Sequence, residues 1–367
     1  MLTSIAAFAR VAARRPAKLA RPADTVLAHL LAAEGWLCRA QDAVREGGIS
    51  YGYTFGRGWR EPYPETSGYI VPTFFRLASR DPSYRERARR ILAWLLRIQN
   101  TDGSFANPRF GPDGIVFDTG QVLFGLVLAW REHGEASVLA AARRAAKWLC
   151  DAADEQLRWT RHEHLGTPHT YNTRSAWALL QMDAVERDDR RLAVARANLD
   201  WALEVQQPSG LFAHCAFRAD GVPFTHNIAY AAEGLLEAGV LLREQWYVDA
   251  ARRAADAALL HLRPDGFLPA QISVDGLARS TACCLTGNCQ LAIVCSRLAE
   301  LTGEDRYRHA ATCALDFVMS TQDLVSPDAG VRGGIAGSHP LWGRYAPLTY
   351  PNWAAKFFVD AMWMRSE

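Results

Sequence analysis

Long apolar runs are missing from this sequence. None reaches the roughly 18 unbroken residues that a membrane-spanning helix requires. The stretch before Arg10 is uncharged but too rich in small residues to make a secretory core. Charge of one sign is also scarce: the formal net charge is only +2 over 367 residues. That argues against a nucleic-acid binder, which would carry a basic stripe. There is no CxxC pair. Four of the eight cysteines cluster at Cys283, Cys284, Cys289 and Cys295, with no histidine at zinc-finger spacing beside them. Buried, reduced thiols are expected, and with them a reducing, cytoplasmic compartment. Neither a metal nor another cofactor is expected.

What is present is a globular composition, 49% hydrophobic and 22% charged, long enough for a large core. Residues 1–23 form a basic arm: Arg10, Arg14, Arg15, Lys18 and Arg21 stand there without an acid. Such an arm suits either an anionic membrane surface, as a peripheral contact, or a solvated, frayed end.

From there the chain repeats about every 55 residues. Trp36-Leu-Cys-Arg-Ala-Gln41, Trp94-Leu-Leu-Arg-Ile-Gln99, Trp148-Leu-Cys-Asp-Ala-Ala153, Trp201-Ala-Leu-Glu-Val-Gln206 and Phe317-Val-Met-Ser-Thr-Gln322 each end a helical segment rich in Ala, Arg and Leu. A degenerate copy covers 257–262. Glycine turns follow several copies, at Gly103, Gly210 and Gly266, as befits helix stops. A second, more apolar helix then begins, with polar residues at its entrance: Glu65, Asp118, Tyr171-Asn-Thr-Arg174, His226-Asn227, Asn288 and Tyr350-Pro-Asn-Trp353. The first helix of each unit can face water, whereas the second must be buried on most sides. Six such hairpins predict an all-α (α/α)6 toroid, six inner helices inside six outer ones, as one domain over 24–367. An open solenoid has the same period but ends in polar capping repeats. Phe357-Phe358-Val359 near the last helix is no such cap.

In a closed ring the inner helices run parallel, and their N-terminal ends meet at one mouth. The stretch GTPHTYNTRSAWALLQ, 166–181, shows the design most clearly. Turn formers lead into His169, Tyr171, Asn172 and Arg174, and these into a buried helix. Free N–H groups and the positive end of the dipole suit an anionic ligand there. Asn172 or Thr173 as a plain N-cap satisfies the same pattern. The loop 333–353, dense in glycine, proline and aromatic residues, adds His339, Trp342, Arg344 and Tyr345, either as part of the site or as a packed lid.

Gln99-x3-Gly103-x-Phe105 and Gln206-x3-Gly210-x-Phe212 resemble the QxxxGxW repeats of squalene-cyclase and prenyltransferase toroids. That resemblance implies the architecture. The cyclases' DxDD motif and the prenyltransferases' zinc ligands are absent. The helix entrances resemble those of six-hairpin carbohydrate enzymes. Phe117-Asp118-Thr-Gly120 is similar to the YDTG segment of glucuronyl 5-epimerases. Phe117-Asp-Thr-Gly-Gln-Val-Leu123 is similar to the Asp-bearing entrance of unsaturated glucuronyl hydrolases.

The mouth inventory leads to one main expectation. Tyr, His, Asn and Arg dominate it, which suits proton abstraction at carbon five of a uronic acid in a poly- or oligosaccharide. Arg174 and Asn172, helped by Asn227 or Asn288, would neutralise the carboxylate. Tyr171, His226 and Tyr350, with Tyr345 as the alternative on the opposite sugar face, would move protons. Elimination makes the enzyme a lyase; reprotonation from the other face makes it an epimerase. His169, His339, Trp342, Arg344, Asn352 and Trp353 are expected to bind substrate. The alternative is a glycoside hydrolase using Glu65 and Asp118. Asp118 as a plain N-cap of its own helix satisfies the same pattern. A further alternative is a glycan-binding protein of polysaccharide assembly, in which aromatics and Asn bind sugar with no base required.

Overall fold

The computed structural model describes residues 8–11 and 23–366. Among them twelve long α-helices alternate between two layers. The outer helices are α1 (Ala23–Asp42), α3 (Ser83–Ile98), α5 (Ala136–Asp151), α7 (Asp189–Glu204), α9 (Gln245–Leu259) and α11 (Asp305–Thr321). The inner ones are α2 (Pro64–Leu77), α4 (Val116–His133), α6 (Thr173–Asp183), α8 (Thr225–Leu242), α10 (Leu285–Thr302) and α12 (Asn352–Ser366). Each inner helix packs on the next, and α12 packs back on α2, so the ring closes. This is the expected (α/α)6 toroid.

The layering follows from composition. Helix α4 buries all of its first twelve residues, 116–127, whereas α3 buries only one face, through Ala88, Ile91, Leu92, Trp94 and Leu95. The inner helices approach closely enough to need small residues. A Cβ on Gly68 would stand 2.4 Å from the Val122 Cα, and one on Gly120 would stand 2.4 Å from Ser175 Oγ.

The repeated glutamine has a physical role. Gln99 Nε2 donates to the Gly103 carbonyl and to the Ala141 carbonyl of the next outer helix, both at 2.9 Å. Gln206 does the same to Gly210 (2.7 Å) and Ala250 (2.9 Å). One amide thus ties a helix end, its turn and the neighbouring repeat together. Trp36, Trp94 and Trp148 are buried, while Trp201 is half-buried against His214.

Short strands seal the ring. Strand β1 (Gly52–Thr54) pairs antiparallel with β2 (Gly58–Trp59) and with β5 (Thr349–Pro351), joining the first repeat to the last. A second ladder pairs β3 (Cys283–Cys284) with β4 (Ser338–His339). Of the basic arm, residues 8–11 lie on this body: Phe8 meets Phe55 edge-on at 5.6 Å and Arg10 Nε donates to Asp323 at 2.9 Å. The rest of the arm lies outside the described residues. No described helix is long and apolar enough to cross a membrane. All eight cysteines are free, and the 283, 284, 289 and 295 thiols are buried.

Candidate active site

A cavity of about 350 Å³ opens at the N-terminal ends of the inner helices. Its walls are aromatic, with Tyr51, Phe110, Phe117, Tyr171, Phe217, Tyr345 and Trp353 among them. Two carboxyl groups stand in it. Glu65 lies in the first turn of α2, behind Pro64 at N1, and Asp118 in the first turn of α4. Between them sits Tyr63, whose hydroxyl donates to Asp118 Oδ2 at 3.3 Å and, less closely, to Oδ1 at 3.5 Å. Tyr63 accepts from Asn107 Nδ2 at 2.6 Å.

Burial dominates the electrostatics here. It pushes Glu65 up to about 7, against the Tyr63 hydrogen bond and the Arg174 charge, which pull it down. Asp118 is held well above the usual carboxylate range by burial and then by the charge on Glu65, opposed by donors from Tyr63 and Asn107. The helix N-termini favour ionisation but do not overcome desolvation. Both shifts favour a proton on this pair near neutral pH. One neutral acid beside one carboxylate is the arrangement acid/base chemistry needs.

Other expected residues join this cavity. His226 is pushed down to about 3, mainly by burial, so it is neutral. Its Nδ1 lies 2.5 Å from Gln290 Oε1, which must accept, leaving Nε2 without its proton. Tyr171 stacks on His169 at 4.4 Å and meets Phe117 edge-on. Asn227 lines the cavity but gives its oxygen to the Phe224 N–H as a cap of α8. Trp353 Nε1 donates to the Tyr345 hydroxyl at 2.8 Å, fixing one wall. Arg344 is exposed at the rim. Arg109, also exposed, lies over the Tyr51 ring at 3.7 Å.

Several expected residues are not brought to the cavity, each for a visible reason. Arg174 turns into the ring, where it pairs with Glu233, donates to Gln121 at 2.8 Å, and sits among Phe124, Trp177, Tyr230 and Phe357. Asn172 donates to both oxygens of buried Glu163. His169 backs Tyr171, and its Nε2 meets the His164 carbonyl at 2.7 Å. Asn288 stands in for the glutamine that the degenerate copy lacks, donating to the Gly266 carbonyl at 2.9 Å. Asn352 donates to Ser50 and Thr66 and so stitches the ring closure. Tyr350 and His339 line a separate, very small cleft, and Trp342 is 55% exposed away from the cavity lining.

Conversely, Tyr63, Asn107, Arg109, Tyr51 and Tyr69 line the cavity without having been expected there. Tyr63 was legible in principle, because it precedes Pro64-Glu65 at the helix entrance. Asn107 and Arg109 sit in a loop whose course depends on the fold, and no local pattern marks them.

The toroid and the carboxyl-bearing cavity at its mouth define a class of helical-ring proteins with a site at one end. The profile of the squalene-hopene cyclase C-terminal domain matches residues 17–234. The chain belongs to that family. The cyclase DxDD motif is absent, and a shared fold does not carry a shared reaction. Among curated proteins no sequence matches. Solved structures share the ring. An unsaturated glucuronyl hydrolase from Bacillus sp. GL1, described as responsible for glycosaminoglycan degradation, superposes with a TM-score of 0.74 at 14% identity, over 92% of this chain and 96% of that one. An unsaturated glucuronyl hydrolase specific for heparin gives 0.74 and 14%, over 94% and 98%. A D-mannose isomerase gives 0.69 and 13%, over 95% and 99%.

Proposed function

We propose that the chain is a carbohydrate-active enzyme that hydrolyses a uronic-acid-containing oligo- or polysaccharide, with Asp118 as general acid and Glu65 as the carboxylate. The observation that carries this reading is the carboxyl pair meeting on Tyr63 in an aromatic cavity. Asp118 gives its proton to the leaving oxygen. Glu65, ionised, activates water or stabilises the positive charge that develops at the anomeric carbon. The aromatic walls suit the apolar faces of a sugar, and Arg109 and Arg344 at the rim suit its carboxylate. The hydrolases among the structural relatives support the choice of reaction, and their uronyl substrates the choice of sugar.

Proton abstraction at carbon five, by an epimerase or a lyase, is the second reading. It is favoured by the neutral His226 and by Tyr171 in the same cavity. It is weakened by the engagement of Arg174 with Glu233, which removes the cation assigned to the sugar carboxylate. One panel separates the two. Acidic oligosaccharides, saturated and unsaturated, are assayed for new reducing ends, for ultraviolet-absorbing products, and for deuterium uptake in heavy water. New reducing ends that vanish in Glu65→Gln and Asp118→Asn, with Tyr171→Phe active, are expected. Deuterium uptake or ultraviolet absorbance lost in Tyr171→Phe gives the second reading instead.

A further inference from the structure

We propose that Asn107 is a positioning residue, whose side-chain amide directs the Tyr63 hydroxyl proton onto Asp118 and ties that hydrogen bond to the rim loop carrying Arg109. The proposal rests on the reading of Glu65 and Asp118 as the reacting pair, and adds a residue of the cavity wall that acts on Asp118 through Tyr63.

A phenol oxygen can donate or accept, and its neighbours decide which. Asn107 is 2% exposed, and its Nδ2 lies 2.6 Å from the Tyr63 oxygen. An amide NH2 only donates, so Tyr63 must accept there. Its own proton is then left for the carboxyl pair, where Asp118 Oδ2 lies 3.3 Å away. The orientation of the amide is itself determined. Asn107 Oδ1 accepts the Arg109 backbone N–H at 3.1 Å, and a flipped amide would set NH2 against N–H. The Asn107 carbonyl accepts from the Phe110 and Gly111 N–H groups at 2.9 and 3.2 Å, so the same residue shapes the loop. The amide also lends Asp118 a donor directly. One buried side chain thus links the exposed Arg109, stacked on Tyr51, to the carboxyl pair. A movement of the loop when Arg109 meets an anion reaches Asp118 through Asn107 and Tyr63.

The titratable groups facing the Tyr63 phenol are Asp118, Glu65 and Tyr51, with Arg109 over Tyr51 and Arg174 acting on Glu65 from the ring axis. Loss of the donor network raises the titration of the pair, because hydrogen bonds to the charged form hold a carboxyl down.

The test is a cycle of variants in the full chain, with side-chain carboxyls labelled with carbon-13 and titrated by NMR. Asn107→Ala is expected to move the Asp118 step upward by about one unit. In a Tyr63→Phe background the same change is expected to move it by less than half as much. Asn107→Ser can keep a side-chain acceptor for the Arg109 N–H, and so the loop, while falling short of Tyr63 and adding no charge. Its shift also shrinks by at least half when Tyr63 is Phe, and it carries the test if Asn107→Ala does not fold. Equal shifts with and without the Tyr63 hydroxyl overturn the proposal. Turnover that survives Glu65→Gln and Asp118→Asn overturns the functional reading instead, and leaves the outcome of this titration cycle standing.

Discussion

The Arg174 guanidinium closes on the Glu233 carboxylate inside the ring, with both side chains less than one-tenth exposed. The pair is a buried ion pair between α6 and α8, and removal of one partner leaves an uncompensated charge. Arg174→Ala is expected to cost about 3–5 kcal/mol of stability. Denaturant unfolding checks it. A variant that keeps its stability but loses preference for acidic over neutral sugars would return Arg174 to the substrate.

Glu65 has an opposite effect on stability. Its folded-state value of about 7 lies above the ordinary 4.5. The folded chain therefore holds the proton more tightly than the unfolded chain does. The resulting stabilisation is complete below about pH 4.5 and is lost as pH rises through about 7. Glu65→Gln mimics the neutral form, and above neutrality it is expected to be more stable than the parent by roughly 1–3 kcal/mol, while inactive. Thermal unfolding at pH 5 and pH 8 measures this, with the gain present at 8 and small at 5. In the parent the same group is expected to set the acidic limb of the activity profile near 7.

The glutamine clamp predicts a third result. Gly210 has φ +89°, and a Cβ there would stand 2.6 Å from the Arg253 carbonyl oxygen. Gly210→Ala is expected to cost roughly 1–3 kcal/mol through strain and overpacking. Gln206→Leu should also destabilise, because it leaves the Gly210 and Ala250 carbonyls without this donor. Melting temperatures near that of the parent for both would remove the clamp from the account of the repeat.

Arg344 and Arg109 are exposed cations at the rim of the cavity, where an anionic sugar is expected to meet them. Arg344→Ala is expected to raise KM for acidic oligosaccharides roughly ten- to a hundredfold, the worth of one charge-assisted hydrogen bond, while kcat changes little. Neutral analogues should be unaffected. An equal loss for both would make the residue a structural support of the loop.

The ring was readable because its period is carried by many residues at once: Trp and Gln at helix ends, glycine after them, polar entrances before apolar helices. Part of the cavity followed from those entrances, since Glu65, Asp118, Tyr171 and His226 do meet. Roles were harder to read. Asn288 and Asn352 look like ligand-binding amides but satisfy backbone carbonyls, because a buried turn must find donors somewhere. Arg174 looks solvent-facing from its place in the entrance, yet one helical step aims it into the ring toward Glu233. Nothing in the sequence near Asn107 announces Tyr63, forty-four residues earlier, as its partner.

The seam formed by β1, β5 and the α2–α12 contact has a consequence for how the chain is made. Glu65 emerges from the ribosome in the second helix of the ring, but the cavity wall opposite includes Trp353, almost three hundred residues later. Until that last helix docks, α2 lacks its neighbour on one side and the cavity lacks the wall bearing Trp353. The enclosure of the carboxyl pair is therefore complete only once the final repeat has been made.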